Sequence, residues 1–131
     1  IIDTAPNQGI LNLNGVLTAD YLLIPVMSDY LSFDGLSILF RMIDNFKDVF
    51  EIKFDKVKII LNNYNESKNI CKQVKDAIKI NYQGYLAETI IRTSVALSNA
   101  QSEGKTIFQY NKNSKVVDDF DGLIKELMRG L

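Results

Sequence analysis

Histidine does not occur in this sequence of 131 residues. Its absence removes Ser-His-Asp and Cys-His catalysis and every histidine-based metal site. Cysteine occurs once, at Cys71, so no internal disulfide can form, and this usage suits a reducing cytoplasm. No apolar run approaches the roughly 18 residues that span a bilayer as a helix. The first residues lack a basic region followed by an apolar run, so no signal peptide is expected. The seven glycines form no G-x-x-x-x-G-K-S/T segment and no substitute glycine-rich loop. A loop whose backbone N–H groups cradle nucleotide phosphates is therefore not among these residues. The net charge of −1 excludes a polycation, so any nucleic-acid contact must come from a local patch. There is no internal repeat, low-complexity segment or linker, and residues 1–131 are expected to form a single α/β unit.

Apolar residues make up 47% and charged residues 24%, ordinary proportions for a globular chain able to bury a core. The sequence opens on Ile1-Ile2-Asp3 and then turns through Pro6 and Gly9. Two branched residues running into a carboxylate suggest the end of a buried parallel strand at the carboxyl edge of a sheet, where ligands bind. A start inside a strand is expected of a segment of a longer reading frame. The apolar spacing predicts a short helix over 9–19, with Ile10, Leu11, Leu13, Val16 and Leu17 on one face. Tyr21 to Val26 is a continuous apolar run, the pattern of a strand covered on both faces, with Pro25 near its end. A polar connection to Phe33 precedes a helix of about 16 residues from Asp34, capped by Ser32 or Asp34. Lys56 to Leu61 is the next strand. Asn65 is expected to cap a helix from Glu66 to about Lys79 that buries Ile70, Cys71, Val74, Ala77 and Ile78. Thr89-Ile90-Ile91 reads as a short strand, and Ser94 to Glu103 as a helix stopped at Gly104. Ile107 to Tyr110 is a partly buried segment. Val116 to Arg129 is the last helix, with Val117, Phe120, Leu123, Ile124, Leu127 and Met128 inward. Strands alternating with helices predict an α/β fold, a parallel sheet flanked by helices.

Several residues bear on chemistry. Asp3 is a strand end with a turn, or a carboxylate placed for Mg²⁺ on a nucleotide. Asn62 and Asn63 end a strand at the same edge, where an amide can read a base edge or serve loop and cap chemistry. Lys68, Lys72, Lys75 and Lys79 are spaced by 4, 3 and 4, which places them in one stripe on a helix. A phosphate backbone could lie along it, and a solvated helix face accounts for the same residues. Arg92, Lys105, Lys112 and Lys115 form a second basic set without interleaved stacking aromatics. The last helix carries Asp118, Asp119, Asp121 and Glu126 against Lys125 and Arg129, an acidic face unsuited to anionic lipid.

Asp3-Thr4-Ala5-Pro6, Leu17-Thr18-Ala19-Asp20, Leu23-Ile24-Pro25-Val26, Tyr30-Leu31-Ser32 and Gly35-Leu36 follow one another with spacings that resemble the second half of the ParA/Soj/MinD group of deviant-Walker P-loop ATPases. Ile91 to Gln101, Gly104 to Ile107, and Tyr110 with Asn113-Ser114-Lys115 are similar to its plasmid-partition branch. The resemblance covers nearly the whole chain and implies the C-terminal part of a three-layer P-loop NTPase-like fold. It makes Asp3 the Walker-B carboxylate on the Mg²⁺ side, with Thr4, Ala5, Pro6 and Asn7 as switch II; Ala5 departs from the commoner double proline. It places Asn62 and Asn63 near the adenine, and Arg92, Lys115 and Lys105 on non-specific DNA. The family's phosphate loop and switch-I aspartate would precede Ile1.

The function so implied is that of a ParA-type partition ATPase. The full-length parent would bind ATP and Mg²⁺, form a homodimer, coat DNA in plasmid or chromosome segregation, and respond to a ParB-like centromere-binding protein. It would be cytoplasmic, nucleoid- or plasmid-associated, with no membrane partner, while the present residues would bind ATP weakly and be inactive alone. One alternative is an ATP-independent interaction or dimerisation module, and another a MinD-like membrane-cycling ATPase. A sheet edge left open by absent upstream strands favours association. The chain is accordingly expected to self-associate in sedimentation velocity; a monodisperse, cooperatively folding monomer would overturn that expectation.

Overall fold

The computed structural model describes residues 1–4, 9–50 and 56–129. Helix α1 (Ile10–Thr18) leads into strand β1 (Tyr21–Met27), and helix α2 (Tyr30–Phe50) into strand β2 (Lys56–Asn62). Helices α3 (Asn69–Asn81), α4 (Val95–Ser102), α5 (Ile107–Tyr110) and α6 (Lys115–Arg129) complete the described chain. β1 and β2 pair in parallel, with Ile24 opposite Ile59 and Pro25 opposite Ile60. The α/β class and the parallel sheet with flanking helices are as the alternating pattern predicts.

β2 carries neighbours on both edges. Its Ile59 donates to the Tyr85 carbonyl and accepts from Ala87 N–H, both at 2.8 Å, and its Leu61 accepts from Ile91 N–H at 2.9 Å. The 85–93 segment thus lies parallel to β2 without becoming a regular strand: only isolated bridges, Ile59 with Leu86 and Tyr64 with Arg92, are formed. This corrects the short strand expected at Thr89 to Ile91, whose amides at 88 and 89 are taken by a side chain of α6 instead.

Two apolar clusters sandwich the sheet. Ile24, Val26, Val57, Ile59 and Leu61 pack on Leu36 and Ile43 of α2 and on Val74 and Ile78 of α3. Phe40 adds ring contacts to Tyr82 and Tyr85 at 4.8 and 5.0 Å between centroids, tying α2 to the end of α3. On the other face Ile60, Ala87 and Ile91 pack on Ala100, Ile107, Val116, Val117 and Leu123 from α4, α5 and α6.

That second layer covers β2 but not β1. Leu23, Pro25 and Met27 are exposed, so the continuous apolar run of β1 is covered on one face only among the described residues. Because Ile59 turns its N–H and carbonyl, and Leu61 its carbonyl, toward 85–91, the alternation of a parallel ladder leaves Ile60 to bond with β1, on either side of Pro25. Pro25, which has no N–H, therefore faces away from β2, toward an edge that no other described strand occupies, where a proline costs no ladder bond to β2.

Local chemistry shifted several expected boundaries. Ile1 and Ile2 form no strand and are exposed, because no described strand offers them a ladder. Methyl groups of Thr4 and Ile2 instead lie 3.2 and 3.5 Å from where a Cβ on Gly15 would stand, a close approach to α1 that glycine permits. α2 begins at Tyr30, four residues early, because Asp29 rather than Ser32 or Asp34 caps it. Its carboxylate accepts from Ser32 N–H at 2.9 Å and Ser32 Oγ at 3.1 Å. Asn65 does not cap α3 either. It accepts from Ser67 N–H at 3.0 Å in an Asx turn, so the helix waits until Asn69. Ile70, Ile124 and Met128 are exposed, since each lies off the flank of the face set by its buried neighbours. Ile10 and Leu11 are exposed as well, and α1 has no fully buried residue. Gly104 ends the turn after α4 at φ +63°, as expected.

Ile59 is fully buried and Ile124 half exposed. In urea denaturation Ile59→Ala is expected to cost roughly 2–5 kcal/mol and Ile124→Ala within about 0.5 kcal/mol; equal losses would contradict this placement of the core.

Candidate functional site

The carboxyl ends of β1, β2 and the 85–93 segment converge on one edge. Ser28 Oγ donates to the Asn62 carbonyl at 3.3 Å, joining the ends of β1 and β2. Asn62 turns its own side-chain oxygen to Asn63 N–H at 2.9 Å. Asn63 adopts φ +53°, a left-handed conformation that asparagine tolerates, and so redirects the chain. Its carbonyl accepts from Thr93 Oγ1 at 3.0 Å. Tyr64 N–H donates to Ile91 and the Tyr64 carbonyl accepts from Thr93 N–H, at 3.0 and 2.9 Å. These bonds bring Asn62 and Asn63 beside Arg92.

An open cleft of about 510 Å³ lies there, lined by Tyr64, Asn65, Glu66, Lys75, Ile90, Arg92 and Thr93. The Lys75 ammonium stands 5.6 Å from the centre of the Tyr64 ring, within cation–π range. Burial pushes the Tyr64 hydroxyl pKa up, and the charges of Glu66, Cys71 and Asp76 push the same way.

Arg92 is fixed from below. Its Nε and Nη2 donate to the two oxygens of Asp119 at 2.7 and 2.6 Å, and its backbone N–H adds a third bond at 3.1 Å. Asp119 is 7% exposed and the Arg92 side chain 48%. Burial alone would raise the Asp119 pKa, but the hydrogen bonds from Arg92 outweigh it and hold the carboxyl below its ordinary value. The same bonds raise the Arg92 pKa. Seven residues along α6, Glu126 accepts from the N–H groups of Glu88 and Thr89 at 2.9 and 2.8 Å. Burial opposes that carboxylate too, and the backbone bonds from Thr89 and Glu88 lower its pKa overall.

The other expected site residues are dispersed. Asp3 and Thr4 are exposed ahead of α1, and Pro6 lies outside the described residues. Lys105 follows α4 and pairs with Glu103 at 2.8 Å, which raises its pKa. Lys115 opens α6, exposed, one turn before Asp119. Among the described residues no cluster of three or more acidic or cysteine side chains could hold a metal ion. An exposed single carboxylate such as Asp3 still fits Mg²⁺, which takes one or two protein carboxylates and completes its shell with phosphates and water.

Sequence reasoning assigned Asp119 and Glu126 to a solvated acidic face. The signal against that was present: Val116, Asp119, Leu123 and Glu126 recur at 3, 4 and 3, the spacing of an inward stripe. Tyr64 and Thr93 had no such signal, because their roles come from segments 29 residues apart.

Comparison with known proteins agrees with the fold. A family model described as an AAA domain matches residues 1–56. The cell division protein PomZ of Myxococcus xanthus is 32% identical over 128 residues, 98% of this chain and 40% of that protein. The chromosome partitioning protein ParA of the same organism is 33% identical over 129 residues, 98% of this chain and 46% of its own length. The sporulation initiation inhibitor protein Soj of Bacillus subtilis is 28% identical over 127 residues, 97% of this chain and 50% of Soj. The chain thus spans half or less of the length of these three relatives.

Both α6 carboxylates have lowered pKa values in the folded state. Their stabilisation is present above the ordinary carboxylate pKa of about 4 and is lost as pH falls through the folded values. Thermal stability is therefore expected to drop on acidification below about pH 5. Asp119→Asn should flatten that acid limb and cost about 1–3 kcal/mol at neutral pH. An unchanged acid limb in differential scanning fluorimetry would contradict the clamp.

Proposed function

Since this chain belongs to the ParA/Soj family of P-loop ATPases, we propose that it forms the C-terminal portion of a partition ATPase. One observation carries this reading: likeness to a chromosome partitioning protein at about a third identity over 98% of the chain. Residues 1–131 are one α/β unit of the ATPase domain. The intact protein binds ATP–Mg²⁺, dimerises, and in that state binds DNA without sequence preference. A ParB-like partner stimulates hydrolysis and release, in the cytoplasm on nucleoid or plasmid.

In this reading Asp3 contributes the carboxylate that holds Mg²⁺, and Thr4 and Pro6 belong to the loop that senses the phosphates. Bound Mg²⁺ neutralises charge on the phosphates during transfer of a phosphoryl group to water. Asn62 and Asn63 lie at the base end of the nucleotide, and the bond from Thr93 to the Asn63 carbonyl fixes that edge. Arg92, Lys105 and Lys115 are the C-terminal cations assigned to DNA. Lys115 is exposed with no carboxylate partner among the described residues, whereas the other two are paired.

The decisive test joins this segment to its upstream reading frame. A glycine-rich loop with two lysines is expected there, with ATP hydrolysis stimulated by DNA and partner. Asp3→Ala is expected to lower Mg²⁺ affinity or turnover by at least roughly 10-fold. Micromolar Mg²⁺–ATP affinity of the 131-residue chain alone, measured by calorimetry, would overturn the division of the phosphate site. DNA binding with no nucleotide dependence in the intact frame would leave an ATP-independent module.

A further inference from the structure

Of the four lysines around α3, only Lys75 takes part in the cleft just described. On a helix of 100° per residue, Lys68, Lys72, Lys75 and Lys79 fall within a sector of about 60°. Lys68 stands at the N-cap and the other three lie within α3. The stripe is about 16 Å long at 1.5 Å per residue, enough to face several consecutive phosphates of one strand. It sits about a quarter-turn from the buried line of Cys71, Val74 and Ile78 and borders the cleft through Lys75.

Its charges are available. Lys68, Lys72 and Lys79 are exposed, and among the described residues none of them pairs with a carboxylate. Asp76 lies between Lys72 and Lys79 in sequence and Glu66 lines the cleft, yet neither carboxylate comes within ion-pair distance of the stripe. Lys75 is held over the Tyr64 ring. In contrast, Arg92 gives two donors to a buried carboxylate and Lys105 is paired with Glu103. An arginine already neutralised releases little counterion charge from a polyanion, whereas an unpaired lysine contributes its full share.

We infer that the α3 stripe of Lys68, Lys72, Lys75 and Lys79 is the main contact for the phosphate backbone of duplex DNA, ahead of Arg92 and Lys105. The inference rests on the DNA-binding reading above and names the surface. Arg92 then acts structurally, holding the segment that walls the cleft, and α3 lies along the backbone with its N-terminal end beside that wall.

The test is fluorescence anisotropy of a labelled duplex of about 30 base pairs, titrated with the intact protein in the presence of ATP–Mg²⁺ between 50 and 200 mM KCl. Lys72→Glu/Lys79→Glu is expected to weaken binding at least about 10-fold and to lower the salt slope by roughly 2, near 0.9 for each phosphate no longer neutralised. Lys72→Gln/Lys79→Gln should show the same slope change with a smaller drop in affinity. Circular dichroism of each variant should match the parent, since both positions are exposed. Unchanged affinity and slope in the double variants, with weakened binding in Lys115→Glu, would overturn the stripe and keep the DNA reading. No binding by the unsubstituted intact protein with ATP–Mg²⁺ at 50 mM KCl would overturn both.

Discussion

The 85–93 segment is the hinge of this architecture, because it is ordered from outside rather than by its own strand geometry. β2 and the turn after it supply one row of partners through Ile59, Leu61 and Tyr64. α6 supplies the other through two carboxylates, Glu126 on the amides of 88 and 89 and Asp119 on Arg92. Hydrogen bonds to charged groups are worth about 1.5–3 kcal/mol each, more than an ordinary ladder bond. They fix the last helix against the sheet together with Val116, Val117 and Leu123. The arrangement is asymmetric. Asp119 is buried and Arg92 half exposed, so loss of the arginine strands a buried charge, the more damaging side of a broken pair.

That clamp also decides how the charges divide. A basic residue counts toward a polyanion only if its charge is not already spent inside the protein. Arg92 was attractive by family position, yet its guanidinium answers to Asp119. The α3 lysines were ambiguous in sequence, since a solvated face and a phosphate-binding face share the same spacing. The absence of ion pairs along that face among the described residues separates them from Arg92 and Lys105, though not from Lys115.

Element order was legible in the sequence because it rests on local periodicity. The strands at 21–27 and 56–62 and the helices at 10–18 and 115–129 follow from apolar spacing that needs no partner. Boundaries failed where a polar side chain competed for the backbone. Asp29 captured the start of α2, and Asn65 formed a turn with Ser67 instead of starting α3. Burial failed where coverage depends on layers: Leu23 lies in an apolar run that looks like core, but the second helical layer ends over β2. Of the candidate site, the asparagines at the end of β2 could be placed from sequence. The cleft could not, because Tyr64, Lys75 and Thr93 meet only after three separate segments have packed.

Pro25 carries a consequence for how copies of this chain can meet. A strand added outside β1 would draw on the N–H groups of residues 23, 25 and 27; residue 25 has none, and the Met27 carbonyl is already taken by Asp29 N–H at 2.8 Å. The edge is therefore a poor template for recruiting further backbone. Side-chain contact across the exposed Leu23 and Met27 is then the principal way in which a second copy of these residues meets this edge.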